Sequence, residues 1–386
     1  MSHSFSPAIA VAAYKRPCSL TRLLTSIANA DYTGYSAVTL IISIDRSDSL
    51  EALTVAKDFD WKFGEKKIIH HPTNIGLKQN VLFCGDLSQD YGSVIVLEDD
   101  LYVSPGFYDY TCQALEYYQN SAAIAGISLY SYCYNEYAKM RFIPLDDGFD
   151  NYFFQSASSW GQAWTKSQWQ EFKRWYEINH DTAIAETAML PKMVIRWLPS
   201  RSWKKFFIRY VVAQNKYFVV PRRSLTTNFA EVGDHMTTLT NNYQTPLLLN
   251  SKQWNFGSLN ESRSIYDVYF EMTPDCLKKN NPSFQQLDFE CDLYGIKQIN
   301  RLNTKHLFTI RDSSKPIASY GFRLIPPELN LIFNLEGNFI NLVETGLELN
   351  LSQRKKMLHH VYLNQNAGII KYGSLFISGL IRRILP

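Results

Sequence analysis

The sequence predicts an α/β fold: a mostly parallel sheet with helices on both faces, followed by a smaller C-terminal region. Two observations carry this. Short apolar runs alternate with helical patterns through the first hundred residues, as in sheets whose strands are buried on both faces. Polar residues also cluster at the carboxyl ends of those runs, where open α/β sheets bind ligands.

The elements follow in order. Ile9 to Ala13 reads as a strand, ending in Tyr14-Lys15-Arg16-Pro17. Leu20, Leu23, Leu24 and Ile27 recur at helical spacing, with Ser19 placed to cap. Val38 to Ile44 is a β-branched strand. Asp48 and Glu51 have the spacing of a capping box for a helix through about Phe59. Ile68-Ile69 marks a third strand, and a helix runs from Gly76 to about Leu87. Val94 to Leu97 is a fourth strand and leads straight into Glu98-Asp99-Asp100. Ser104-Pro105 signals the next helix. Residues 146–235 are mixed and Trp-rich. The pattern changes again near Asn250, which divides the chain into 1–250 and 251–386. Tyr320 to Asn330, with two prolines, reads as an extended connection.

Composition narrows the function. Lys and Arg number 39 against 36 Asp and Glu, a balance that argues against a nucleic-acid partner. The 24 Tyr, 23 Phe and 8 Trp supply faces that stack on sugars and bases, although most should fill the core. Six scattered cysteines form no CxxC pair, which argues for free thiols in a reducing compartment and against structural zinc. No secretory pattern opens the chain, and no run reaches the roughly 18 apolar residues of a membrane span. The expectation is a cytoplasmic protein. Ile369 to Leu385 gathers apolar residues on one helical side with Lys371 and Arg382 opposite. Such a helix can dock on the main domain, or lie on the inner face of the plasma membrane as a peripheral anchor.

The acidic triplet carries the chemistry. Mg²⁺ and Mn²⁺ bind carboxylate oxygens and water, and they bridge the oxygens of a nucleotide diphosphate. Carboxylates at the end of a buried strand provide a rigid mount for such an ion. An isolated Glu-Asp-Asp is usually a solvated turn, so the preceding strand decides the reading.

The run SVIVLEDDLYVSPGFYDY (Ser93 to Tyr110) resembles the metal-binding strand and helix of GT-A glycosyltransferases. It is most similar to N-acetylglucosaminyltransferase I and to bacterial family 2-like enzymes of surface-polysaccharide assembly. PAIAVAAYKRPCSLTRLLTSI resembles the opening of that group, and ISIDRSD its nucleoside-contacting acid. NIGLKQN resembles the turn over the nucleotide, SASSWGQAW the acceptor loop, and SLTTNFAEVGDH the closing segment. These stretches occur in order from Pro7 to His235.

The resemblance implies a nucleotide-sugar donor, a UDP-sugar favoured, and a glycan or polyprenyl-linked acceptor. Asp100 would bind Mn²⁺ or Mg²⁺, with His235 as a second ligand. Asp99 would hold the metal's water or the ribose, and Glu98 would support the loop. Donor contacts would come from Ala13, Tyr14, Arg16, Asp45, Asn74 and Lys78; a surface arginine capping the next helix fits Arg16 equally well. Ser159, Trp160 and Gly161 would face the acceptor. An inverting enzyme needs a carboxylate to take the acceptor's proton. Relatives carry an Asp beside a Ser-Trp pair, where this chain has Arg201-Ser202-Trp203-Lys204. Asp181, Glu231 and Asp234 are the candidate bases. Three other classes compete: a glycan-binding or scaffold protein on the same fold, a glycoside hydrolase, and a nucleotidyltransferase. The hydrolase is disfavoured because consecutive acids on a strand face opposite ways. The nucleotidyltransferase lacks its Gly-rich loop.

Overall fold

The computed structural model describes residues 5–184, 189–229, 241–250, 252–350 and 358. The chain divides into two compact units. One holds residues 1–137 and 142–286, the other residues 138–141 and 287–386.

In chain order the elements are β1 (Ala8–Ala13), α1 (Pro17–Ala28), β2 (Leu40–Ile44), α2 (Glu51–Asp58), β3 (Lys66–His70), α3 (Gly76–Asp86), the single turn α4 (Ser88–Tyr91), β4 (Ser93–Glu98), β5 (Leu101–Val103), α5 (Phe107–Tyr118) and β6 (Ile124–Ser128). Then come β7 (Tyr134–Asn135), β8 (Met140–Arg141), β9 (Asn151–Phe154), β10 (Gln162–Thr165), α6 (Lys166–Asn179), α7 (Lys192–Arg196), α8 (Trp203–Ala213), β11 (Tyr217–Pro221), β12 (Thr226–Asn228), β13 (Ile265–Tyr266) and α9 (Pro274–Asn280). The rest are β14 (Phe289–Asp292), β15 (His306–Thr309), β16 (Ala318–Tyr320), α10 (Glu328–Ile332) and β17 (Ile340–Glu344).

A nine-stranded sheet runs β13-β9-β11-β6-β10-β4-β1-β2-β3. Strands β3, β2, β1 and β4 are parallel neighbours, with Ile9 opposite both Leu40 and Ile95. Every residue of β1 and β2 is buried, which is why both read as apolar runs, interrupted only by Ser43 of β2. Helix α1 packs through Leu20, Leu23, Leu24 and Ile27, all fully buried at the predicted spacing. Strand β10 enters antiparallel between β4 and β6 and reverses the sheet. On its far side Trp164 and Trp169 are fully buried, and Trp164 stacks on Phe207 of α8 with ring centroids 5.4 Å apart.

Three local expectations change. Helix α1 starts at Pro17, and Ser19 lies buried within its first turn, because proline suits a position whose N–H has no partner. No capping box forms before α2; instead Ser49 Oγ accepts from Glu51 N at 3.3 Å. The segment from Tyr320 is extended only at its start, since Glu328 opens α10 directly after Pro327.

The sequence division near Asn250 and the structural one after Gln286 also differ. Asn-rich and aromatic residues beyond 250 pack into the first unit. Trp254 Nε1 donates to Asp109 Oδ2 at 2.8 Å, Gly257 N donates to Asn151 Oδ1 at 2.9 Å, and β13 pairs with β9. The second unit is a sheet ordered β14-β15-β17-β16. Its core holds a buried ion pair, Arg311 Nε to Asp292 Oδ2 at 2.7 Å.

Candidate functional site

Strand β4 ends at Glu98, and Asp99 and Asp100 form the turn into β5. The backbone of Asp99 is tied to β1, its N–H donating to Ala12 O at 3.1 Å. Tyr14 N donates to Asp99 Oδ2 at 3.2 Å. Arg16, at the start of α1, bridges the two aspartates: Nη2 donates to Asp99 Oδ1, and Nη1 to Asp100 Oδ2 at 3.2 Å. The guanidinium fork suits paired acceptors. Four of the predicted donor-side residues, Tyr14, Arg16, Glu98 and Asp99, thus meet Asp100 at the carboxyl ends of β1 and β4, and Ala13 lies beside them as the last residue of β1.

Burial dominates the electrostatics. It pushes Asp99 up to about 6; Asp100 adds to the rise, while Arg16 opposes it. Glu98 is raised first by burial and then by Asp100 and Asp99, against Arg16 and the Trp203 indole. For Arg16 burial works against the charge, but the two carboxylates outweigh it and its pKa is raised.

The same region holds surplus acceptors. Glu98 Oε1, Asp100 Oδ1, Gln162 Oε1 and Asn228 Oδ1 are buried with no hydrogen-bond partner. Gln162 lies opposite Val96 on β4, and Asn228 lies opposite Leu101 on β5. An unpaired buried acceptor costs roughly 1–3 kcal/mol, and a cation is a natural partner for such a group. Among the described residues no cluster of three His, Cys, Asp or Glu could hold a metal ion. Asp100 Oδ1 fits the alternative, in which one or two carboxylates bind the ion and water and phosphate complete its shell.

The remaining residues expected on the donor side build the frame. Asp45 accepts from Arg46 N, Ile75 N and Gly76 N at 2.8–2.9 Å, and so fastens the start of α3. Asn74 Nδ2 donates to Arg46 O at 2.9 Å. Lys78 points away from this turn: its amine donates to Pro199 O at 3.0 Å. Sequence reasoning missed Asn80, which donates to Ala13 O and Ser43 O at 3.3 and 3.2 Å and accepts from Ser43 Oγ at 2.6 Å. This buried amide joins the ends of β1 and β2. Its polarity on the packed side of α3 is the signal that could have revealed it.

Around the residues expected to face the acceptor, Ser158 Oγ receives Trp160 N at 3.1 Å, next to Ser159. The Trp160 ring packs against Tyr130 and Tyr243, with centroids 4.6 and 5.1 Å away. Gly161 has φ +94°, and a Cβ there would stand 2.9 Å from Thr226 Cγ2. Beside this wall Lys204 Nζ lies 3.2 Å from Glu136 Oε1 and 5.8 Å from the Trp160 ring centroid. The Glu136 side chain is 13% exposed and that of Lys204 11%. Glu136 was not singled out from the sequence, because no apolar period or motif surrounds it. Asp181 lies apart at the end of α6, 90% exposed and 3.0 Å from His180 Nε2. Glu231, Asp234 and His235 lie outside the described residues, as does Ile369–Leu385.

The site combines a parallel half-sheet, acids at the strand ends and an aromatic cluster around Trp160. Residues 8–195, just under half of the chain, match the family model described as Glycosyl transferase family 2, and the mixed α/β fold agrees with that match. No curated protein matches the chain. Among solved structures, it is similar to S. aureus TarS 1-349 in complex with UDP-GlcNAc, at 13% identity and a TM-score of 0.38, covering 60% of each chain. It is also similar to GalNAc-T7 with UDP, GalNAc and Mn²⁺, at 12% identity and a TM-score of 0.39, covering 57% of this chain and 43% of that one. The chain thus spans less than two thirds of the length of either. Among the described residues no helix is long and apolar enough to cross a membrane.

Proposed function

We propose that the protein transfers a sugar from a nucleotide-sugar donor, with a UDP-sugar favoured, to a glycan or polyprenyl-linked acceptor. The setting is bacterial surface-polysaccharide assembly, such as O-antigen, capsule or exopolysaccharide, at the cytoplasmic face of the membrane. The observation that carries this reading is the Arg16-Asp99-Asp100 cluster at the strand ends, within the stretch that matches the family.

Asp100 would hold Mn²⁺ or Mg²⁺ through its free oxygen, with Asp99 behind it. A bound divalent ion offsets charge on the diphosphate. Arg16 would orient the diphosphate with its guanidinium fork. Trp160 would cover the apolar face of the acceptor sugar. Glu136, beside that wall, is the carboxylate we assign to take the acceptor proton, ahead of Asp181, which is far more exposed. As the acceptor oxygen bonds to C1, its O–H proton passes to Glu136. The C1–O bond to phosphate breaks, and the nucleoside diphosphate leaves with the electron pair, which is an inverting displacement.

The test is thermal stability with UDP-, GDP- and CMP-sugars, in Mn²⁺ and in EDTA. A rise with one nucleotide class that requires metal is expected through linkage. No rise with any of them would sink the proposal. A rise without UDP release in the presence of acceptor extracts would favour the glycan-binding reading.

A further inference from the structure

From Met189 to Phe229 the chain carries nine Lys or Arg and no Asp or Glu. The excess positive charge has a defined front and back. At the back, three backbone carbonyls, one near the end of α7 and two in the α7–α8 connection, are held by lysine amines. Lys205 Nζ donates to Ile195 O and Trp197 O, both at 2.7 Å, and Lys78 Nζ donates to Pro199 O at 3.0 Å. The turn is closed by Arg201 N and Ser202 N, which donate to Leu198 O at 3.1 and 3.0 Å. At the front, Lys192, Arg196, Pro199, Ser200 and Arg201 are exposed, and Leu198 is 57% exposed. Trp197 lies between them, partly covered, with Lys204 Nζ 5.2 Å from its ring. No ion pair engages Lys192, Arg196 or Arg201 among the described residues.

We infer that this tip docks on an anionic phospholipid bilayer. The charge pattern sets the occupant: Lys192, Arg196 and Arg201 are exposed with no ion pair among the described residues, around an exposed leucine and a tryptophan. Lys and Arg near an anionic leaflet attract its headgroups, and Trp and Leu enter the interfacial layer. A nucleic acid would use the charge but not the apolar centre. The backbone behind the tip is fixed by the lysines, so the exposed side chains are presented without an ordering cost for the loop. Lys78 belongs to α3, the helix that Asp45 fastens at its start. The tip is therefore tied to the strand-end site by one helix, and docking would set that site at the lipid surface.

The experiment is co-sedimentation of the full chain, without nucleotide, on phosphatidylcholine vesicles with and without phosphatidylglycerol. It stands or falls independently of the transferase reading. Binding is expected at low salt on the anionic vesicles and at least tenfold weaker on pure phosphatidylcholine. Each exposed basic residue contributes roughly fivefold, so R196E/R201E should weaken binding more than tenfold with an unchanged melting temperature. L198D should weaken it severalfold. If the charge reversal unfolds the protein, R196Q/R201Q replaces it, with a loss of about tenfold or more. Equal binding to neutral vesicles, no binding to either, or unchanged binding by the tip variants overturns the inference. So does retention on an oligonucleotide without vesicle binding.

Discussion

Arg16 Nη1 lies 3.2 Å from Asp100 Oδ2, and through its other terminal nitrogen the same guanidinium holds Asp99. One side chain therefore bridges the two acids and offsets part of their charge, while Asp100 Oδ1 keeps no partner among the described residues. Asp100→Ala should abolish metal-dependent stabilisation by nucleotide while the fold survives. Arg16→Ala leaves Asp99 buried with an uncompensated charge and should cost about 1–3 kcal/mol, reduced from the fully buried case because Arg16 is partly exposed. Urea unfolding and nucleotide-shift assays check the pair. Metal-dependent stabilisation in Asp100→Ala would remove Asp100 as the ligand.

The raised carboxyls give a stability–pH relation for the metal-free protein. In the unfolded chain Asp99 releases its proton near ~3.9, and in the folded chain at about 6. Its contribution is fully present below the unfolded value and is lost as pH rises toward 6. Glu98, also raised, extends the loss to higher pH. Melting temperature in EDTA should fall across this range, and Asp99→Asn should flatten the lower part. An identical slope in the variant would show that Asp99 is not the group responsible.

Gly161 is required by two constraints at once, its positive φ and the 2.9 Å approach to Thr226 Cγ2. Gly161→Ala should lose about 1–3 kcal/mol. It should also shift Trp160, which is readable as a change in tryptophan fluorescence. A neutral substitution on both counts would mean that the turn relaxes freely.

All six cysteines are thiols outside any disulfide, but only Cys18 is exposed and Cys133 is half-buried. Burial pushes the Cys84 thiol up to about 12, and burial raises Cys112 further. With a thiol reagent at neutral pH one fast and one slow reaction are expected, and four more only after unfolding. Fast labelling of Cys84 or Cys112 would contradict the packing of α3 or α5.

Glu136→Gln keeps the size and the Lys204 neighbour but removes the basic carboxylate. Sugar transfer should fall by about a hundredfold or more, while nucleotide stabilisation in Mn²⁺ is retained. Full activity in this variant would return the search for the base to residues 231 and 234.

Much of the fold was legible because its signals are local. The apolar runs of β1, β2 and β4, and the Leu20-Leu23-Leu24-Ile27 spacing, come from burial on sheet faces and one helix face. The acids at the end of β4 could be placed for the same reason. Other features depend on the fold closing. Asn80 joins two strand ends that are distant in sequence. Glu136 meets Lys204 across 68 residues. Lys78, expected at the nucleotide, is drawn to a carbonyl 121 residues away. No window of sequence contains such pairs. The unit boundary moved for a similar reason, because polar residues beyond 250 satisfy hydrogen bonds inside the first unit.

The reversal made by β10 has an evolutionary consequence. Strand β4 reaches the site with its last residue, whereas β10 leaves it with its first, so Trp160 precedes the strand that anchors it. The half-buried Ser159 and Trp160 can change in composition without moving the core register that begins at Gln162, whereas residues 151–158 before them are buried. Under the proposed function, selection can thus remodel the aromatic wall while the acidic end of β4 stays fixed. Within such a lineage, acceptor preference would diverge faster than donor chemistry.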